Sequence, residues 1–142
     1  MSVLVDTSVW SLAFRRRPAR LSDGERRRVD EWSTLVIDNQ ALIIGMVRQE
    51  TLSGIRRAED FESLRTQPAG FDDLPVGTAD HERAAAFFNQ CRATGIAATA
   101  VDMLIGSVAS CLDVAIFTTD ADFERYAQCL PIRLYRPRRP QT

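Results

Sequence analysis

Short apolar runs recur along this chain between longer segments in which apolar residues return about every three to four positions. That alternation marks an α/β sandwich with a mainly parallel sheet, because joining two parallel strands takes a crossover long enough to hold a helix. The runs at residues 2–6, 41–44, 74–76, 115–118 and 132–135 are the expected strands. Between the first two, Ser22-Asp23-Gly24-Glu25 reads as a capping box behind Leu21, opening a helix with Val29, Trp32 and Val36 on one face. Further helices are expected over residues 46–57, 58–67, 78–94, 101–113 and 122–129. Pro68 and Gly70 close the 58–67 segment, and Gly95 stops the helix that turns Phe87, Phe88 and Cys91 inward. With 142 residues, 45% of them hydrophobic, and no repeat or linker, the chain suits one domain over residues 1–142 with one core.

Composition narrows the chemistry. All 18 basic residues are arginine, so P-loop phosphate binding, Schiff bases and the lysine-assisted aspartyl phosphorylation of receiver modules are excluded. The lone histidine, His81, excludes two-histidine metal motifs, and without a glycine-flanked serine elbow a Ser-His-Asp triad has no basis. A formal net charge of -1 excludes bulk electrostatic binding of nucleic acid, so any basic surface is local. Residues 15–28 hold seven arginines against Asp23 and Glu25, and residues 133–139 hold four with no acid. Each run is either a solvated face or a cluster that holds a phosphodiester backbone beside an acidic site. Three cysteines without a Cys-x-x-Cys pair read as reduced core thiols. No uncharged run approaches the ~18 residues of a membrane span, and Met1 to Asp6 is no signal peptide, so the expectation is a cytoplasmic protein without membrane contact.

The acids carry the functional signal. Asp6 ends an apolar strand, and Asp120 closes residues 115–119 just before a helix, with Asp122 two positions on. Either aspartate alone reads as a helix cap, but two strands ending in aspartate place two carboxylates on the same rim, where ligands collect in open parallel sheets. Asp102 opens ten residues without a charge, and Gly106 and Ala109 on its face let that helix approach the sheet. Glu50 lies between Val47, Thr51 and Gly54 on the inward edge of its helix, while Arg48, Gln49, Arg56 and Arg57 can face solvent. For Glu50 the structural alternative is a salt bridge to an arginine. Converging, Asp6, Glu50, Asp102 and Asp120, with Asp122 close by, would repel one another unless a cation intervened. An all-oxygen donor set points to magnesium or manganese, and such a cluster suits phosphodiester hydrolysis by water, leaving 5'-phosphate and 3'-hydroxyl ends. Thr7 and Thr118 are placed to orient these carboxylates or the water.

Val5-Asp6-Thr7-Ser8-Val9-Trp10, Arg48-Gln49-Glu50-Thr51-Leu52, Asp102-Met103-Leu104-Ile105-Gly106-Ser107 and Thr118-Thr119-Asp120-Ala121-Asp122-Phe123 follow one another in an order that resembles the PIN-domain ribonucleases. Within that family the chain is most similar to the VapC toxins of bacterial toxin-antitoxin modules. Gly106-Ser107 departs from the alanines usual there, a change among small residues. The resemblance implies a PIN-like fold with a parallel sheet flanked by helices, and an acidic quartet that binds magnesium or manganese and cuts single-stranded RNA. Asp6 matches the first family acid, Glu50 the second, Asp102 the third and Asp120 the fourth, with Asp122 as an accessory acid. It also implies a cognate VapB-type antitoxin, and the acidic pocket, by its charge, invites an arginine of that partner among Asp6, Glu50, Asp102 and Asp120. A homodimer is implied as well, for which Trp10, Phe14 and Trp32 would offer apolar surface. The alternatives are a housekeeping PIN nuclease of RNA maturation and a non-catalytic PIN scaffold that binds RNA or protein.

Overall fold

A computed structural model describes residues 1–15, 18–66 and 71–137. β1 (Val3–Val5) leads into α1 (Thr7–Arg15), and a 3-10 turn at Pro18–Arg20 precedes α2 (Asp23–Ile37) and β2 (Ala41–Ile44). Then come α3 (Gly45–Ser53), α4 (Ala58–Thr66), β3 (Asp73–Leu74), α5 (Thr78–Ala93), α6 (Ala100–Leu112), β4 (Ala115–Phe117) and α7 (Asp122–Cys129). The strands pair in the order β3-β2-β1-β4, every pair parallel. All four carboxyl ends therefore share one rim, and with Val5 opposite Phe117, Asp6 and Thr118 emerge side by side.

β1 and β4 are buried along their whole length, as strands covered on both faces must be. α6 contributes an unbroken buried run from Met103 to Ala109 and packs chiefly on α5. A β-carbon at Gly106 would meet Ile132 at 3.6 Å, an ordinary contact, so the approach of this helix does not demand glycine. The capping box of α2 is present, Glu25 N–H donating to Ser22 Oγ and Ser22 N–H to Glu25 Oε1. Gly95, at φ +78°, follows α5 in the left-handed conformation that a helix stop favours.

Several expectations are corrected. Residues 132–135 form no strand: only Leu134 bridges, in parallel, to Ile116, because Pro131 and the short approach from α7 leave one point of contact. The third strand is Asp73–Leu74 rather than 74–76. Residues 7–15, to which the expected strands and helices assign nothing beyond a cap at Asp6, form the helix α1. Trp10 is 1% exposed, and Phe14, Trp32 and Phe71 pack around it with ring centroids 5.4 to 5.7 Å away, so Trp10 belongs to the core and offers no pairing surface, while Phe14 and Trp32 are partly buried against it. Burial of Trp10 is completed by its indole N–H, which donates to Val5 O at 3.1 Å. All three cysteines are free, but only Cys91 is buried, and Cys111 is exposed. Arg48 does not face open solvent: it bonds Asp73 Oδ1 at 2.9 Å and Phe71 O at 2.8 Å, tying α3 to the segment around β3. Arg133 and Arg136, acid-free in sequence, pair with Asp113 and Glu124 in space. Pro68, Gly70, Arg16, Arg17, Arg138 and Arg139 lie outside the described residues. Among the described residues no helix is long and apolar enough to cross a membrane.

Candidate active site

The loops leaving β1 and β4 are laced together by hydroxyls. Asp6, 4% exposed, donates its N–H to Phe117 O at 2.8 Å, which holds it against the end of β4. Its Oδ2 accepts from Ser8 Oγ at 2.7 Å and Thr118 Oγ1 at 2.9 Å. Ser8 Oγ in turn accepts the Thr119 N–H at 3.0 Å, and Thr118 Oγ1 accepts the Asp120 N–H at 3.0 Å. One residue after Asp6, Thr7 Oγ1 donates to Glu50 Oε1 at 2.8 Å, bringing the α3 acid to the same rim. Glu50 pairs with no arginine among the described residues; its partner is this hydroxyl.

Asp102 sits in the first turn of α6, whose N-cap Thr99 accepts the Asp102 N–H at 3.1 Å. A carboxylate there gains from the helix N-terminus, yet it is half-buried, and Tyr126 OH donates to its Oδ2 at 2.8 Å. Burial pushes the Asp102 carboxyl up to about 6, the charges of Asp6 and Asp120 add to the rise, and the Tyr126 bond opposes it. Burial likewise raises Asp6, against the Ser8 and Thr118 hydrogen bonds. Tyr126 is held protonated, first by its burial and then by its bond to Asp102. The charges of Asp6 and Asp120 both act on Asp102, which puts each of them within electrostatic reach of that carboxyl.

Asp120 is exposed and also does the capping work read from sequence, its Oδ1 accepting the Asp122 N–H at 2.9 Å. Asp122 stands at the margin, its carboxylate 3.4 Å from Arg125. As the side chains stand, no three Asp, Glu, His or Cys residues among the described ones gather into a group able to hold a metal ion. Glu50, Asp6 and Asp102 each accept a hydrogen bond from a hydroxyl instead. By donor chemistry the site nonetheless suits a hard divalent cation: all its charged donors are carboxylates, and burial raises two of them, Asp6 and Asp102, a cost to their charged forms that a cation would offset. Thr7 and Thr118 donate to the carboxylates of Glu50 and Asp6. Ser8 and Tyr126 were missed. A small hydroxyl two positions after a strand-end aspartate is a local signal that finds Ser8. For Tyr126 the signal is weaker: a tyrosine on the inward stripe of a short helix needs a partner for its hydroxyl when buried.

Comparison with known proteins places this geometry. The PIN domain family profile matches residues 3–128. No curated protein matches the chain by sequence. Among solved structures, the chain is similar to one in the crystal structure of FitAcB from Neisseria gonorrhoeae, with TM-score 0.72 and 17% identity over 95% of this chain and 97% of that one. A chain of the VapBC2 structure from Rickettsia felis, bound to a DNA fragment from its promoter, matches with TM-score 0.72 and 17% identity over 95% and 98%. A chain of a toxin-antitoxin complex from Klebsiella pneumoniae matches with TM-score 0.63 and 17% identity over 86% and 90%. At such identity the likeness is one of fold.

Proposed function

The chain belongs to the PIN domain family, and on that premise we propose that it is a divalent-metal-dependent endoribonuclease of the VapC type, a single PIN domain over residues 1–142. The observation that carries the reading is the strand-end rim, where the charges of Asp6 and Asp120 bear on Asp102 and Glu50 is drawn in through Thr7. Asp6, Glu50, Asp102 and Asp120, with Asp122 at the margin, would hold magnesium or manganese. When bound, the ion supplies positive charge for the scissile phosphate and makes a water nucleophilic near neutral pH.

The chain's own residues set the stage for that chemistry. Thr118 and Ser8 fix the Asp6 carboxylate, Thr7 fixes Glu50, and Tyr126 fixes Asp102, so the acids are oriented before substrate arrives. The toxin role, with a VapB-type antitoxin as partner and the cytoplasm as its place of action, is supported by the likeness to chains of VapBC2 and of a toxin-antitoxin complex. An antitoxin arginine among these carboxylates would silence the enzyme by pairing with two of them. A homodimer belongs to the same reading, although Trp10, being buried, contributes nothing to its interface.

The test is cleavage of single-stranded RNA by the purified protein with magnesium or manganese. EDTA should abolish cleavage, and the products should carry 5'-phosphates. Full cleavage in EDTA would overturn the metal-dependent mechanism. The toxin role is read separately: expression of the chain should arrest bacterial growth, and co-expression of a short adjacent reading frame should relieve the arrest.

A further inference from the structure

Two clefts flank Thr119, on the rim beside Asp120, and the same side chain borders both. The first, of about 560 Å³, is walled by Ser8, Ser11 and Ser22 with Arg28 and Thr119. The second, of about 440 Å³, is walled by Asp120, Thr118 and Arg136, again with Arg28 and Thr119. Together they form a polar track past the acids, from the start of α2 to the segment after Leu134.

The charges along this track differ in how they are spent. Arg136 is taken up by Glu124, with bonds of 2.9 and 3.2 Å to its two oxygens. Glu25 is engaged in the α2 capping box. Arg28 is exposed and forms no ion pair with any described acid. Its guanidinium is thus the uncompensated cation where the two clefts meet, next to a rim of carboxylates. A nucleic-acid strand led across such a rim meets repulsion at each phosphate, and a planar cation beside the acids offsets it with a two-pronged hydrogen bond. Serine hydroxyls on the same wall are neutral donors suited to phosphate oxygens and sugar hydroxyls.

Resting on the ribonuclease reading above, we propose that Arg28 is a phosphate-binding residue that guides single-stranded RNA through these two clefts past Asp120. It acts on binding and leaves the chemical step alone. The track is single-stranded in character, since it offers hydroxyls and one guanidinium not paired with a described acid, rather than the broad basic face that a duplex would need.

The experiment measures steady-state cleavage of a short labelled single-stranded RNA in magnesium, at several salt concentrations, for the wild type, Arg28→Ala, Arg28→Lys and Arg56→Ala. Arg28→Ala should raise KM about tenfold with kcat nearly unchanged. It should also lower the slope of log KM against log salt by about 0.7, the loss of one phosphate contact on a single strand. Arg28→Lys should retain most of that slope, and Arg56→Ala, in the loop between α3 and α4 and lining neither cleft, should behave as wild type. Because Arg28 is exposed on α2, its melting temperature should stay that of the wild type. If Arg28→Ala leaves KM and the salt slope unchanged while the wild type cuts RNA, this inference is overturned and the ribonuclease reading stands. A fall in kcat at constant KM also overturns it, by placing Arg28 in the chemical step. If the wild type cuts no RNA with either metal, the ribonuclease reading fails and the inference falls with it.

Discussion

The first two residues of α1 and those that follow them face opposite environments. Thr7 and Ser8 donate to Glu50 and Asp6 on the open rim, whereas Val9 and Trp10 are buried and Phe14 stacks on Trp10 at 5.7 Å. The aromatic region gains free energy from each apolar surface it covers, and its one polar atom on Trp10 is satisfied. The rim brings the charges of Asp6 and Asp120 to bear on the half-buried Asp102, and burial holds Asp6 and Asp102 above their ordinary range. One short helix therefore joins a region built for stability to a region whose charges work against it. Substitutions in the two should separate activity from stability in opposite directions.

The largest effect belongs to the rim. Asp102→Asn should lower RNA cleavage by about a thousandfold or more, roughly 4 kcal/mol of transition-state stabilisation. The same variant should melt, metal-free, at the wild-type temperature or above it, since it removes a charge that its surroundings disfavour. A variant that loses activity because it unfolds would break the contrast. Trp10→Ala should do the reverse, destabilising the protein by about 3 to 5 kcal/mol in urea unfolding. Any Trp10→Ala protein that remains folded should keep the acids in place and still cut RNA.

A smaller effect tests the hydroxyls between the two regions. Tyr126→Phe keeps the packing of the ring on Phe123 and removes only the bond to Asp102. Titration calorimetry should show manganese binding about 10- to 100-fold more weakly, with the melting temperature little changed. Wild-type affinity in this variant would reduce Tyr126 to a packing residue.

The smallest effect is the pH dependence. Asp102 is raised from an ordinary value of 3.8 to about 6, so its protonated form is favoured by folding. The stability it contributes is fully present below about 3.8 and is lost as pH rises through about 6. Asp6 is displaced in the same direction. In EDTA the wild-type melting temperature should fall as pH is raised from about 5 to about 7, and the fall should be shallower in Asp102→Asn. An equal slope in both proteins would remove Asp102 as the source.

The sequence by itself determined the features whose causes lie within a turn or two of chain. Alternating runs announced a parallel sheet, Ser22 and Glu25 announced the cap of α2, and Gly95 announced the end of α5. Asp6 and Asp120 were legible because a charge at the end of an apolar strand has no place in the core, and Asp102 because it opens an uncharged helix. α1 was not legible: Val9, Trp10, Leu12 and Phe14 follow a strand directly, and the Asp6 and Thr7 polar groups that start the helix read equally well as a turn. The end of the chain misled for a related reason, since alternation at 132–135 announces a strand but cannot supply a neighbour to pair along its length.

Only the tertiary structure decided which groups meet across large gaps in the chain. Thr118 reaches Asp6 from 112 positions away, Thr7 reaches Glu50 across 43, and Tyr126 reaches Asp102 across 24. Arg136 is claimed by Glu124, while Arg28, one of seven arginines in its run, is left free of any described acid beside the rim. Local signals record what the backbone does within a few residues, because capping and periodicity act over a single turn. Partners for side chains emerge only when strands pair and helices pack, and it is those long-range hydrogen bonds that turn scattered acids into one rim.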